Sequence, residues 1–219
     1  MTTPRPIPTV KACERSQRGF TMLEVLVALL ILLIGLLGLA GLLVTTQQGE
    51  VEAYQRKQAA VLLQDMIDRV TANPKAAGAA GQCYAFTTNT TNGSPFLGTE
   101  NDVNDTFVCG AGSVSQQARG AADLAAWNNA LLGASEKKGS GALTLTNAIG
   151  AIIDARGCVT NPSSGVYVIS VAWRGLQPTV APPAAYTCAK DKYTTAGGAV
   201  DERLRRVISV TIRIANLAA

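Results

Sequence analysis

Few side chains in this chain of 219 residues could do chemistry, because it has five cysteines and no histidine. Without an imidazole, neither a Ser-His-Asp nor a Cys-His relay can be built. No two cysteines stand in C-x-x-C spacing, which argues against a metal site, and no glycine-rich phosphate loop follows a strand pattern. The acidic residues are scattered, so no pair is singled out as acid and base. The expectation is a protein that is not an enzyme and holds no cofactor. Cys13 lies in the basic N-terminal stretch, which leaves Cys83, Cys109, Cys158 and Cys188, an even set that suits disulfides in an exported domain. Four cysteines allow three connectivities. Pairing Cys83 with Cys109 and Cys158 with Cys188 closes two separate loops of similar length and is the expectation here.

One ionisable group stands where it must be explained. Glu24 opens an otherwise apolar stretch, and residues 25–44 follow it with no charge and no proline. At ~1.5 Å per residue that run spans the ~30 Å hydrocarbon core of a bilayer as a helix. A carboxylate in lipid costs roughly 2.5–3.5 kcal/mol at a helix centre and less near an end, so Glu24 needs a partner or a task. A secretory signal explains the stretch poorly, since its apolar part is shorter and ends in a small-residue cleavage site. A plain anchor accounts for the length but not for Glu24.

The sequence Gly19-Phe20-Thr21-Met22-Leu23-Glu24, preceded by basic Arg15 and Arg18 and followed by the apolar run, resembles the N-terminal signal of type IV prepilins and type II secretion pseudopilins. The resemblance implies cleavage after Gly19 by a prepilin peptidase and methylation of the new N-terminal Phe20. It also implies that Glu24, the fifth mature residue, pairs with the terminal ammonium of a neighbouring subunit. The implied partners are the peptidase, other major and minor pilins, an inner-membrane assembly platform and membrane lipid. The implied place is the inner membrane, single-pass, with the C-terminal domain periplasmic, and extracellular once in a pilus.

The elements that position this signal follow in order. Residues 1–19 are a cytoplasmic leader to be removed, and 20–73 are a long helix whose transmembrane segment is about 25–44. The second half of that helix is amphipathic: Val51, Tyr54 or Gln55, Ala59, Leu62, Leu63, Met66 and Val70 recur at helical spacing, opposite Glu52, Arg56, Gln64, Asp68 and Arg69. Asn73-Pro74 ends it. Gly35, Gly38 and Gly41 break the apolar half and suit close helix–helix packing. Residues 74–219 form the exported domain. Within it, 75–122 reads as an exposed loop, and 123–132 as a short helix with Asp123 as N-cap, Trp127 as core anchor and Gly133 as stop. Strands are expected at 142–146, 151–155, 166–173 and 206–214, the last two with alternating faces.

This predicts an α+β, pilin-like fold: a long N-terminal helix whose amphipathic half covers one face of a C-terminal antiparallel sheet with disulfide-bounded loops. Asp123 with Trp127, Val171 to Arg174, the late cysteine Cys188 and Leu204 to Val207 resemble, loosely, the minor pilins called PilV, or type IV pilus modification proteins. The resemblance implies a minor pilin that promotes pilus biogenesis. A type II secretion pseudopilin is the alternative, and a tip adhesin or DNA-uptake pilin a further one.

Charge gives little support for nucleic acid as a partner. The net charge is +4, but removing the leader's Arg5, Lys11, Arg15, Arg18 and Glu14 leaves 15 basic and 14 acidic residues. The leader's charge reads as a topology signal. Arg205 and Arg206, in the one tight basic cluster, are expected to be solvated charges entering a strand.

Overall fold

In the computed structural model, residues 19–78, 83–101, 103, 110, 112–134, 150 and 152–215 are described. The chain divides into two units, Met1–Gln47 and Gln48–Ala219. The long helix α1 runs Met22–Ala72, and a single turn, α2, follows at Pro74–Ala77. Proline at the first helical position has no N–H to satisfy, so it closes one helix and starts the next.

In the first unit every described residue is exposed. In the second, α1 buries Gln55, Ala59, Leu63, Met66 and Val70, one stripe at spacings of three and four. That stripe resolves the open choice in favour of Gln55, since Tyr54 and Val51 face solvent at 56% and 43% exposure.

Among the described residues the sheet has four antiparallel strands in sequential order: β1 (Leu97–Gly98), β2 (Arg156–Ser163), β3 (Val166–Arg174) and β4 (Arg205–Arg213). β3 and β4 pair without a break from Val166 opposite Arg213 to Arg174 opposite Arg205. Their β-branched and aromatic residues fit a pleated, half-buried surface. Tyr167, Ile169, Val171 and Trp173 of β3 join the α1 stripe in one core, with Leu124, Trp127 and Leu131 from helix α3 (Val114–Leu131).

Four expectations need correction. The second face of the sheet is also covered in part. Behind β3, Ala172 packs with Phe96, Cys158, Cys188, Ala189, Tyr193 and Leu204 in a second core. The small side chains there leave room for a returning loop, which covers that part of the face and leaves Thr211 exposed. Residues 152–155 are a turn, with Asp154 at φ 51°, and β2 starts just beyond them. Helix α3 begins nine residues before Asp123. Its N-cap is Ser113, in a reciprocal capping box with Gln116, and Asp123 lies inside it. Finally, 75–122 is not simply an exposed loop, because Tyr84, Phe96 and Leu97 are fully buried or nearly so and part of α3 falls within it. The expected strand at 142–146 lies outside the described residues.

Candidate functional site: the processing junction and its helix

The first turn of α1 is held by local chemistry. The Glu24 backbone N–H donates to Thr21 Oγ1 at 3.2 Å, and the Val25 N–H to the Thr21 carbonyl at 3.3 Å. Thr21 therefore caps the helix, and Thr21-x-x-Glu24 has the spacing of a capping box, of which the forward half is present. Glu24 is the acidic residue of that first turn, where a negative charge is favoured by the helix dipole. The sequence reading missed Thr21, although the T-x-x-E pattern was there to be read.

Gly19 has open space around it, and Phe20, Met22 and Leu23 are 82%, 92% and 74% exposed. Gly19 and Phe20 precede the helix without regular secondary structure, and both are exposed. No ion pair to Glu24 exists among the described residues. α1 is long and apolar enough to cross a membrane, and none of its apolar window is buried.

The head is fixed by polar groups that sequence did not assign. Tyr84 Oη donates to Asp123 Oδ2 at 2.7 Å and accepts from Asn73 Nδ2 at 3.0 Å, while Arg69 Nη1 reaches Asp123 Oδ1 at 3.3 Å. Burial, reinforced by the Asp123 carboxylate, pushes the Tyr84 phenol well above its ordinary pKa. The Asp65 carboxylate, with a smaller contribution from Asp123, raises the Arg69 guanidinium above its ordinary pKa. Asp123 thus ties α3 to the end of α1 instead of capping a helix. Trp127, fully buried, donates its indole N–H to the Leu62 carbonyl of α1 at 2.8 Å. It is a core anchor, as expected.

Cys158 and Cys188 form a disulfide, 30 residues apart in sequence. Cys83 is also disulfide-bonded, and Cys109 lies outside the described residues. The basic cluster is not solvated. Arg205 is 2% exposed; its Nε donates to Glu202 at 2.6 Å and its Nη1 to the carbonyls of Tyr186 (2.6 Å) and Cys188 (3.1 Å). Arg206 binds Glu52 at 3.2 Å and the Gln177 carbonyl at 2.7 Å. Both arginines serve as clamps on the loop between β3 and β4, since a buried guanidinium must spend its donors on fixed acceptors. Arg156 is, like Arg205, a buried cation, 2% exposed, set over the rings of Phe96 and Tyr193 and paired with Glu100 at 2.6 Å.

Residues 15–40 match the prokaryotic N-terminal methylation motif. No curated protein and no solved structure matches the chain. The motif covers the junction, Thr21, Glu24 and much of the exposed apolar helix. It supports a type IV pilin-like or pseudopilin protein and points to a structural role. It also implies processing by a prepilin peptidase and assembly with other pilins, and it fits a membrane-anchored protein.

Proposed function

We propose that this chain is a minor pilin of a type IV pilus. It is cut after Gly19, methylated on Phe20, held in the inner membrane through residues 25–44, and incorporated into the pilus or its initiation complex. Residues 74–219 are then the periplasmic domain, which becomes extracellular in the filament. The observation that carries the reading is Glu24: a carboxylate in the first turn of a helix whose apolar half is exposed throughout, inside the methylation motif, without an ionic partner among the described residues. In a lateral bundle of such helices, the ammonium of a neighbour's Phe20 neutralises it and sets the axial register, since an unpaired buried charge costs roughly 3–5 kcal/mol. The long, loop-bearing head favours a minor over a major subunit, and the loose PilV-like pattern from Asp123 to Val207 supports the same branch.

Co-expression with a prepilin peptidase tests the processing step. The expected product begins at Phe20 and carries one extra methyl group, and an unprocessed chain would overturn the reading. Glu24→Val tests the pairing: the variant should be cleaved normally yet be lost from sheared filaments. Entry at normal levels would rule out the pairing role. A secretion pseudopilin shares every one of these N-terminal features, and recovery only with a secretion apparatus would decide for it.

A further inference from the structure

The back of the sheet carries a cleft of about 450 Å³, inside the ~300–1,000 Å³ range of small-molecule sites. None of its lining residues is charged, and eight of the fifteen carry a hydroxyl. Thr90, Thr160, Thr187 and Thr211 line it, and their hydroxyls have no hydrogen-bond partner among the described residues. On the floor, the Ser170 and Ser209 hydroxyls lie 2.8 Å apart and either can donate to the other, and Ser209 Oγ lies 3.3 Å from the Ile169 carbonyl oxygen. Each hydroxyl oxygen carries two lone pairs, so the pair keeps acceptor capacity in the cleft, where Ser170 is 9% exposed. Tyr186, 43% exposed, stands at the rim as its one aromatic residue.

The walls are held rigid. The Cys158–Cys188 bridge crosses them, and Arg205 holds the carbonyls of Tyr186 and Cys188. The turn at Gly93, with φ 65°, packs so closely that a Cβ there would lie 2.4 Å from the Thr187 carbonyl oxygen. A pre-ordered site loses less side-chain entropy on binding.

We propose that this cleft binds a neutral carbohydrate. Hydroxyls that both donate and accept, the absence of any charge, and a single exposed phenol ring to stack on the apolar face of a pyranose are the complement of a sugar. An anion would ask instead for a cation, and the cleft offers none.

The test is saturation-transfer NMR on the full chain in lipid nanodiscs free of glycolipid and of glycoside detergent. The probes are chitotetraose, standing for cell-wall-type acetamido sugars, and maltotetraose and lactose, standing for neutral hexoses from outside the cell. Transfer to at least one probe is expected, with the probe that responds naming the source. Tyr186→Ala should weaken binding by ten-fold or more. Thr211→Lys, which places a long cation in the cleft from an exposed strand position, should abolish it. An unchanged thermal midpoint and an intact Cys158–Cys188 bridge certify that each variant is folded. Absence of transfer to all three probes at millimolar concentration would overturn the proposal, as would binding that survives Thr211→Lys. None of these readouts depends on cleavage or filament entry, so this proposal and the pilin reading fail separately.

Discussion

The two halves of α1 obey opposite rules. In residues 22–44 every side chain is exposed, and a Cβ added at Gly35, Gly38 or Gly41 would meet nothing within 4 Å. From Gln55 to Val70 the same helix carries a buried stripe, and its Leu62 carbonyl accepts the Trp127 indole. The glycines of the head show the contrast again: at Gly157 a Cβ would lie 2.4 Å from the Trp127 ring. The second half satisfies its apolar surface within its own chain. Among the described residues the first half has nothing to bury against, and lipid or other helices would supply its environment. Stability is therefore set in the second unit and assembly in the first.

The largest effect expected from breaking this division is Trp127→Ala, which should cost about 3–5 kcal/mol in unfolding of the full chain in detergent. An equal loss from Leu33→Ala would end the comparison. Replacing both Cys158 and Cys188 by alanine should cost about 3 kcal/mol, because the bridge closes a long loop of the unfolded chain. A calorimetric scan against the wild type measures it. Tyr84→Phe should cost about 1–3 kcal/mol, since Asp123 loses its short bond and Asn73 an acceptor.

Alkaline pH should act on the head alone. Burial raises the phenols of Tyr84, Tyr167 and Tyr193, that of Tyr167 to about 12. Unfolded tyrosine ionises near pH ~10. Between that value and about 12 the folded Tyr167 keeps a proton that the unfolded chain has lost, so stability is complete below pH ~10 and falls as pH rises. Urea midpoints across that window should fall, and Tyr167→Phe should flatten the fall. The smallest expected effect on stability is that of Gly38→Ala, at most about 1 kcal/mol and towards a firmer helix. Its sharper readout is filament content, which should drop if the glycine faces a neighbouring helix.

Strong local periodicity was easy to read. β3 and β4 alternate for nine paired residues, and the stripe from Ala59 to Val70 recurs at helical spacing. Weak periodicity misled. The first turns of α3, with Ser115, Gln116 and Gly120, lack an apolar stripe, and only the Ser113/Gln116 box betrays the start. β2 includes Gly157, Asn161 and Pro162 and an irregularity between Thr160 and Ser163, so it does not read as a strand. Asp123 has the chemistry of an N-cap, and only the positions of Tyr84 and Arg69 show it spent on a different bond.

The amino-acid sequence by itself determined the methylation motif, the lone Glu24, the apolar length of the helix and the two longest strands. All of these rest on residue type and short-range spacing, which need no fold to act. The tertiary structure alone decided that Arg205 and Arg206 are loop clamps, that a second core covers part of the back of the sheet, and that Ser170, Thr187 and Thr211 share one cleft. Those facts depend on contacts between residues far apart in the chain, where charge and burial are set by what the fold brings alongside.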